Sequence, residues 1–405
     1  MSADFSGLFS SKVKSAPPVY FPPPPASIRY NFDQGTPAPE IYPLEDFKRY
    51  AEAALDTFGA DALGYYAGNQ YGEMTYGYAG LRERIAARIV RRDGRYIDSD
   101  GVMLVNGSAQ GIALVAHAFL DAGDGVVVEA SSFPYAVGYF RATGATVTTA
   151  PVDADGMDID AVEARLREMR ARGIRPKLIY TIPTFQVPTG TTMPLARRRR
   201  LLALAKEWNV LILEDNCYFE LRYDGENLPT LFSLDDSGLV LQSDSFSKML
   251  APGLRMAWLA GAPELMQAVA AVREDLGVSQ WTARMLEAYI ADGKLDPHLD
   301  RVRVLYRRKR DVALRALREH CAGLVTYEIP AGGIYFWLRL ADDVDAEQVR
   351  LRMVDEGVAC RPGERFMDDD SAAQFLRVAF LQVPEPEVER GIAALGRALA
   401  AGRQR

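Results

Sequence analysis

The run SDSFSKMLAPGLR places Lys248 among Ser245, Ser247 and, seven residues on, Arg255. Most lysines are solvated surface charges, but this one follows an apolar strand pattern (Gly238 to Gln242) and two hydroxyls. A Pro-Gly turn and an arginine come after it. A Schiff-base lysine needs those parts: a short polar cradle, a rigid turn and a second cation for an anionic ligand. An imine-forming amine must be available in its neutral form, which a desolvated site with cationic neighbours favours. Arg255 would grip a phosphate by a charge-assisted fork, with Ser245 adding a donor.

Four further motifs could share that ligand. In VNGSAQGIALVAHAF a tight glycine turn leads into a helix, so the N–H groups of Ser108, Ala109 and Gln110 would face a phosphate. Alone, such a turn is more often structural. In VVVEASSFPYA, Phe133 lies just beyond a strand and could stack on a flat heteroaromatic ring, or simply fill the core. In VLILEDNCYFELRYDG, Asp215 ends an apolar strand, where a buried carboxylate needs a partner or a role. Facing a pyridine nitrogen it would keep the ring protonated; otherwise it is a helix cap. Tyr218, three residues on, could aim its hydroxyl at the same ring. In FLRVAF, Arg377 sits inside an apolar strand, and its anionic partner is either a substrate carboxylate or an internal acid.

The elements that must position these residues alternate. Candidate strands are Val102–Val105, Gly125–Glu129, Thr146–Ala150, Leu178–Ile182, Val210–Glu214, Leu239–Gln242 and Met256–Leu259. Helical stretches Ala109–Leu120, Ile159–Arg172 and Leu195–Trp208 lie between them. Such alternation predicts an α/β fold, a three-layer αβα domain with a mainly parallel sheet, which places ligands at the carboxyl ends of its strands. Beyond about residue 290 a charged helix (His298 to His320), strands near Leu324–Glu328, Ile334–Arg339 and Phe375–Phe380, and a helix from Glu385 predict a smaller α+β domain.

Composition narrows the function. The chain has 405 residues, 48% hydrophobic and 25% charged, which suits a globular protein with a large core. A net charge of −7 argues against nucleic acid or an anionic membrane as partner. The run Arg197–Arg200 opens a helical pattern and reads as a solvated face. Three cysteines without paired spacing suit a reducing cytoplasm. The histidines, His117, His298 and His320, have no metal-ligand or triad neighbourhood and read as structural. No apolar run reaches membrane-spanning length and no signal peptide is recognisable.

Together the motifs resemble the fold type I pyridoxal-phosphate enzymes, specifically the class I/II aminotransferases. The resemblance runs from about Tyr30 to Leu399 and includes YNFDQGTPAPEIYP, QVPTG, PAGGIYFWL and GVACRPGERF. It is nearest the aminoadipate and kynurenine transaminase branch and the enzyme-like domain of MocR-type regulators. With no room for a DNA-binding domain before Tyr30, the regulator reading is disfavoured. The resemblance implies an extended arm over 1–30, small-domain segments at 31–55 and 291–405, and a large cofactor-binding domain at 56–290. It implies that Lys248 holds pyridoxal 5′-phosphate as an internal aldimine and shuttles the substrate's proton. Asp215 would pair with the ring nitrogen, Tyr218 with the phenolic oxygen, and Phe133 would stack on the ring. Ser108, Ala109, Gln110, Ser245, Ser247 and Arg255 would form the phosphate cup. Arg377 would bind the substrate α-carboxylate, with Gly35 and Tyr335 lining the substrate side. A homodimer with shared active sites is implied, in which Tyr65 or Tyr71 reaches the neighbouring subunit's phosphate.

Two departures stand out. The family commonly has asparagine where this chain has Val187, which cannot donate a hydrogen bond. A tyrosine-rich insertion, GYYAGNQYGEMTYGYAGLR, occupies the inter-subunit region. The expected activity is transfer of an amino group between an α-amino acid, aromatic or apolar in side chain, and a 2-oxo acid. Elimination or replacement, decarboxylation, cyclisation or oxidation on the same scaffold is the alternative. No metal is expected.

Overall fold

A computed structural model describes residues 5–9, 27–68 and 70–403. Its centre is a seven-stranded sheet in the order Val102–Val105, Ala257–Ala260, Val240–Ser245, Leu211–Asp215, Pro176–Thr181, Gly125–Glu129, Thr146–Ala150. Only Ala257–Ala260 runs antiparallel to its neighbours. The inner strands are continuous apolar runs such as GVVVE and LILED, as expected for a sheet covered on both faces. Helices Ser108–Phe119, Pro134–Ala142, Ile159–Ala171 and Leu195–Trp208 supply the crossovers. Two of the sequence boundaries move in a way that matters. The strands expected to end at Glu214 and Gln242 run on to Asp215 and Ser245, so both chemically interesting residues are held by the ladder itself.

A second sheet of four antiparallel strands, Val325–Thr326, Tyr335–Leu340, Phe375–Ala379 and Arg361–Pro362, carries Arg377. It packs with the long helix Leu295–His320 and the last helix, Glu385–Ala401, which contact each other along their length. Most of the arm expected over 1–30 lies outside the described residues. Its end, Tyr30–Asn31, pairs in parallel with Val358–Ala359. The segment 31–55, expected to join the smaller unit, divides its contacts. Its helix, Leu44–Phe58, packs chiefly on Gln280–Ala291.

The basic run at Arg197–Arg200 is not uniformly solvated. Arg198 is fully buried, donating to the carbonyls of Met193, Pro183 and Pro229 and to Thr184 Oγ1. Those carbonyls come from loops that helical periodicity cannot foresee. Its neighbours Arg197 and Arg200 pair with Asp153 and Asp160. Among the described residues no helix is long and apolar enough to cross a membrane.

Candidate active site

The loops leaving the carboxyl ends of the parallel strands converge on a cavity of about 560 Å³, closed on its far side by the second sheet and the segment Asn31–Thr36. At one end lie Ser108, Ala109, Ser245, Ser247 and Arg255. The first N–H groups of helix Ser108–Phe119 have no intrahelical acceptor. Gly107, at φ +90°, makes the turn before it, and a Cβ there would lie 2.0 Å from Arg255 Nη2. Arg255 is itself left-handed, at φ 48°, and donates to the carbonyls of Asn106 at 2.9 Å and Pro252 at 3.2 Å. A non-glycine residue in that region costs on the order of 1 kcal/mol. Ser245 Oγ bonds Ser247 Oγ at 2.9 Å and accepts the Ser247 N–H at 3.0 Å.

Lys248 projects into the middle of the cavity, its Nζ donating to the Gly35 carbonyl at 2.6 Å. Asp215 forms the floor and is 2% exposed. Its Oδ2 accepts the Tyr180 hydroxyl at 2.8 Å, while its Oδ1 is buried with no hydrogen-bond partner. Burial raises its pKa, opposed by bonds from Tyr180 and Cys217 and by the charge of Lys248. Behind it, Glu129 is buried and pushed up to about 7 by desolvation, against donors from Thr181, Gln186 and Ile182. Phe133 and Val187 complete the walls.

On the other side, Tyr218 and Tyr335 bring their hydroxyls within 3.1 Å. Burial lifts the Tyr218 phenol well above its usual range, with Tyr335 adding to the shift. Gly35 is required by that tyrosine, because a Cβ would lie 2.0 Å from Tyr335 Oη. Arg377 is 6% exposed, sits over the rings of Tyr335 (4.3 Å) and Phe366 (5.0 Å), and donates to the Asp33 carbonyl at 2.6 Å. Its Nε is buried without a partner. The internal acid that sequence left open for Arg377 is not found among the described residues. Arg361, opposite Arg377 on the neighbouring strand, forms a two-pronged pair with Asp33 at 2.5 and 2.6 Å.

Three expected residues do not line this cavity. Gln110 spends its backbone N–H on the Gly107 carbonyl at 3.0 Å, and its side chain bonds the Asn106 N–H and Asp275. It is one residue too far into the helix to keep a free donor. Tyr65 and Tyr71 are exposed, and Tyr71 packs on Tyr66 with ring centroids 4.7 Å apart. Conversely Asp33, Tyr180, Cys217, Arg361 and Phe366 belong to the site or its support and were not singled out in the sequence. An arginine inside the apolar run GVACRP was the one available signal. The imidazole of His320 does have close carboxylates, Glu319 and Glu389, with ligand atoms within 4.8 Å. None of the three lines the cavity.

Residues 41–395 match the family of class I and II aminotransferases. The chain belongs to that family. It is 34% identical over 363 residues to an aromatic-amino-acid aminotransferase of Thermococcus litoralis, covering 89% of this chain and 85% of that one. Among solved structures it is similar to the kynurenine aminotransferase of Pyrococcus horikoshii in complex with PMP, with TM-score 0.89 and 30% identity over 98% of each chain. It is also similar to the α-aminoadipate aminotransferase LysN of Thermus thermophilus, complexed with N-(5′-phosphopyridoxyl)-L-leucine. There the TM-score is 0.85 and the identity 32%, over 98% of each chain. The fold is the pyridoxal-phosphate transferase fold of type I, the cofactor is pyridoxal 5′-phosphate, and the reaction is transfer of an amino group.

The residues present fit that cofactor. The orphaned Oδ1 of Asp215 is an acceptor without a donor, which a protonated ring nitrogen supplies. The glycine turn, paired serines and Arg255 form a donor-rich cradle for a phosphate at a helix N-terminus.

Proposed function

We propose that this aminotransferase acts on α-amino acids with a bulky apolar or aromatic side chain and on the matching 2-oxo acids, with Lys248 as the reacting amine. The observation that supports this most is the shared cavity. A lysine amine, a buried carboxylate with one free oxygen and a buried guanidinium with a free Nε open into one space. Its wall also carries Phe133, Pro134, Tyr135, Tyr335 and Phe366, beside the polar Asn31, Gln34 and Thr36.

When bound, pyridoxal phosphate supplies a sink for the electrons released as the Cα–H bond breaks. The rest is the work of this chain's residues. Ser108, Ala109, Ser245, Ser247 and Arg255 hold the phosphate, and Phe133 packs against the ring. Asp215 keeps a proton on the ring nitrogen by offering a charged acceptor in a dry site. Arg377 grips the α-carboxylate and so decides which bond at Cα stands ready to break. Lys248 would take the proton from the substrate Cα and deliver it to the cofactor C4′, and would carry out the reverse transfer in the second half of the exchange. Tyr218 offers its hydroxyl to the ring oxygen, and Gly35 leaves room for Tyr335 beside the substrate. Val187 keeps that wall apolar. The enzyme is cytoplasmic and works as a homodimer, with Tyr65 or Tyr71 of one protomer completing the partner's phosphate site.

The test is to mix the holoenzyme with leucine, phenylalanine, tryptophan, alanine and glutamate singly and follow the cofactor absorbance. Conversion to the amine form by the large apolar amino acids, reversed by their 2-oxo acids, supports the proposal. Release of ammonia without the amine form would replace transfer by elimination or oxidation.

A further inference from the structure

We propose that the Asp33–Arg361 ion pair limits the site to substrates with a single carboxylate, in both halves of the exchange. The inference rests on Arg377 as the group that takes the α-carboxylate.

Arg361 and Arg377 are direct partners across two antiparallel strands, so their side chains leave the same face of the sheet, and both line the cavity. Two guanidinium groups on one wall could in principle hold two carboxylates. Asp33 prevents it. Its carboxylate takes Arg361 through both oxygens, at 2.5 and 2.6 Å, while its backbone carbonyl accepts from Arg377 at 2.6 Å. The three side chains together carry one net positive charge, which one substrate carboxylate neutralises. The other charges facing the cavity, Lys248, Arg255 and Asp215, are engaged by the reaction and the cofactor.

A second carboxylate on the substrate would then have two options. It could sit beside Asp33, carboxylate against carboxylate. Or it could displace Asp33 from Arg361 and leave that acid without its guanidinium in a partly buried wall, the side chains of Arg361 and Asp33 being 18% and 32% exposed. Removing one member of a close pair costs more than the pair contributes, so either option disfavours a dicarboxylate. Discrimination of this kind comes from a built-in repulsion rather than from a better fit to the favoured ligand. Strand register, which makes the two arginines neighbours, is what gives Asp33 its leverage.

The experiment uses two acids that lack an amino group and so cannot be turned over. Glutarate has two carboxylates and 3-phenylpropanoate has one. Each is titrated into the holoenzyme by calorimetry, which needs no catalysis. Wild type should bind glutarate at least about tenfold more weakly than 3-phenylpropanoate. Asp33→Asn should tighten glutarate by about tenfold or more and move 3-phenylpropanoate by less than about threefold. Adding Arg361→Gln to Asp33→Asn should erase the gain, because the Arg361 guanidinium, no longer neutralised by Asp33, is its source. Asp33→Glu retains the charge and controls for packing; it should retain the wild-type preference. An unmoved ratio in Asp33→Asn, or a gain that survives in the double variant, would overturn the proposal. The underlying reading is tested apart from this. Arg377→Gln should weaken both acids, and if it weakens neither, the assignment of Arg377 fails whatever Asp33 does.

Discussion

Asp215→Asn should slow the amino-group transfer while making the cofactor-free protein more stable at alkaline pH. The two opposite signs follow from one atom. Asp215 is 2% exposed and its Oδ2 is occupied by the Tyr180 hydroxyl at 2.8 Å, but Oδ1 is buried with nothing bound to it. Without cofactor, burial of the carboxylate outweighs the bonds from Tyr180 and Cys217 and the charge of Lys248, and its pKa is raised above 3.8. A group whose folded pKa is raised gives full stability below its unfolded value, and that stability is lost as pH climbs through the folded value. The asparagine variant escapes this loss, so it should gain about 1 kcal/mol over wild type at pH 8 and nothing at strongly acid pH. With the cofactor bound, the substitution weakens a hydrogen bond to a charged partner, a contribution of about 1.5–3 kcal/mol. At about 1.4 kcal/mol per tenfold, transfer should slow by about 10- to 150-fold. Urea unfolding at several pH values measures the first effect, and single-turnover absorbance with excess amino acid the second. A cofactor analogue methylated on the ring nitrogen carries its positive charge without a proton and should recover much of the rate. A variant within about threefold of wild type, or one that loses stability without cofactor at pH 8, would refute the reasoning.

Two other substitutions test the support around the site. Glu129 accepts from Thr181 at 2.6 Å, Ile182 at 3.1 Å and Gln186 at 2.9 Å, and burial pushes it up to about 7. Its contribution to stability is therefore present below its ordinary value of 4.5 and is lost as pH rises towards 7. Glu129→Gln should flatten that slope in urea melts, and an unchanged slope would show that Glu129 does not titrate there. Tyr335→Phe removes the hydroxyl that meets Tyr218 at 3.1 Å. The weakened Tyr218 donor should raise the pH midpoint of the cofactor absorbance by up to about one unit, read by spectral titration. A midpoint that stays put or falls would exclude a role for Tyr335 in orienting Tyr218.

The large sheet was legible because its strands are uninterrupted apolar runs between amphipathic helices, and all seven proposed strands exist within a few residues. The residues at the strand ends were legible for the same reason. Once the strands are aligned, Asp215, Lys248 and the turn before Ser108 must fall on one edge. What stayed hidden depends on partners remote in the chain. Asp33 and Arg361 are 328 residues apart, and the arginine within GVACRP gives no hint of Asp33 until two strands place Arg361 beside Arg377. Arg198 looked solvated because its run is basic, and only the loops supplying its carbonyl acceptors explain its burial. Gln110 shows the limit of a turn motif, which locates a helix N-terminus to within a residue while the count of free donors changes over that same residue.

The central claim is that Lys248 is the amine joined to the cofactor. Reducing the holoenzyme with borohydride, digesting it and sequencing the phosphopyridoxyl peptide by mass spectrometry tests this directly. The label should sit on Lys248 within SDSFSKMLAPGLR, and Lys248→Ala should bind pyridoxal phosphate without any borohydride-stable attachment. A label on another lysine, or an attachment that persists in Lys248→Ala, would contradict the account.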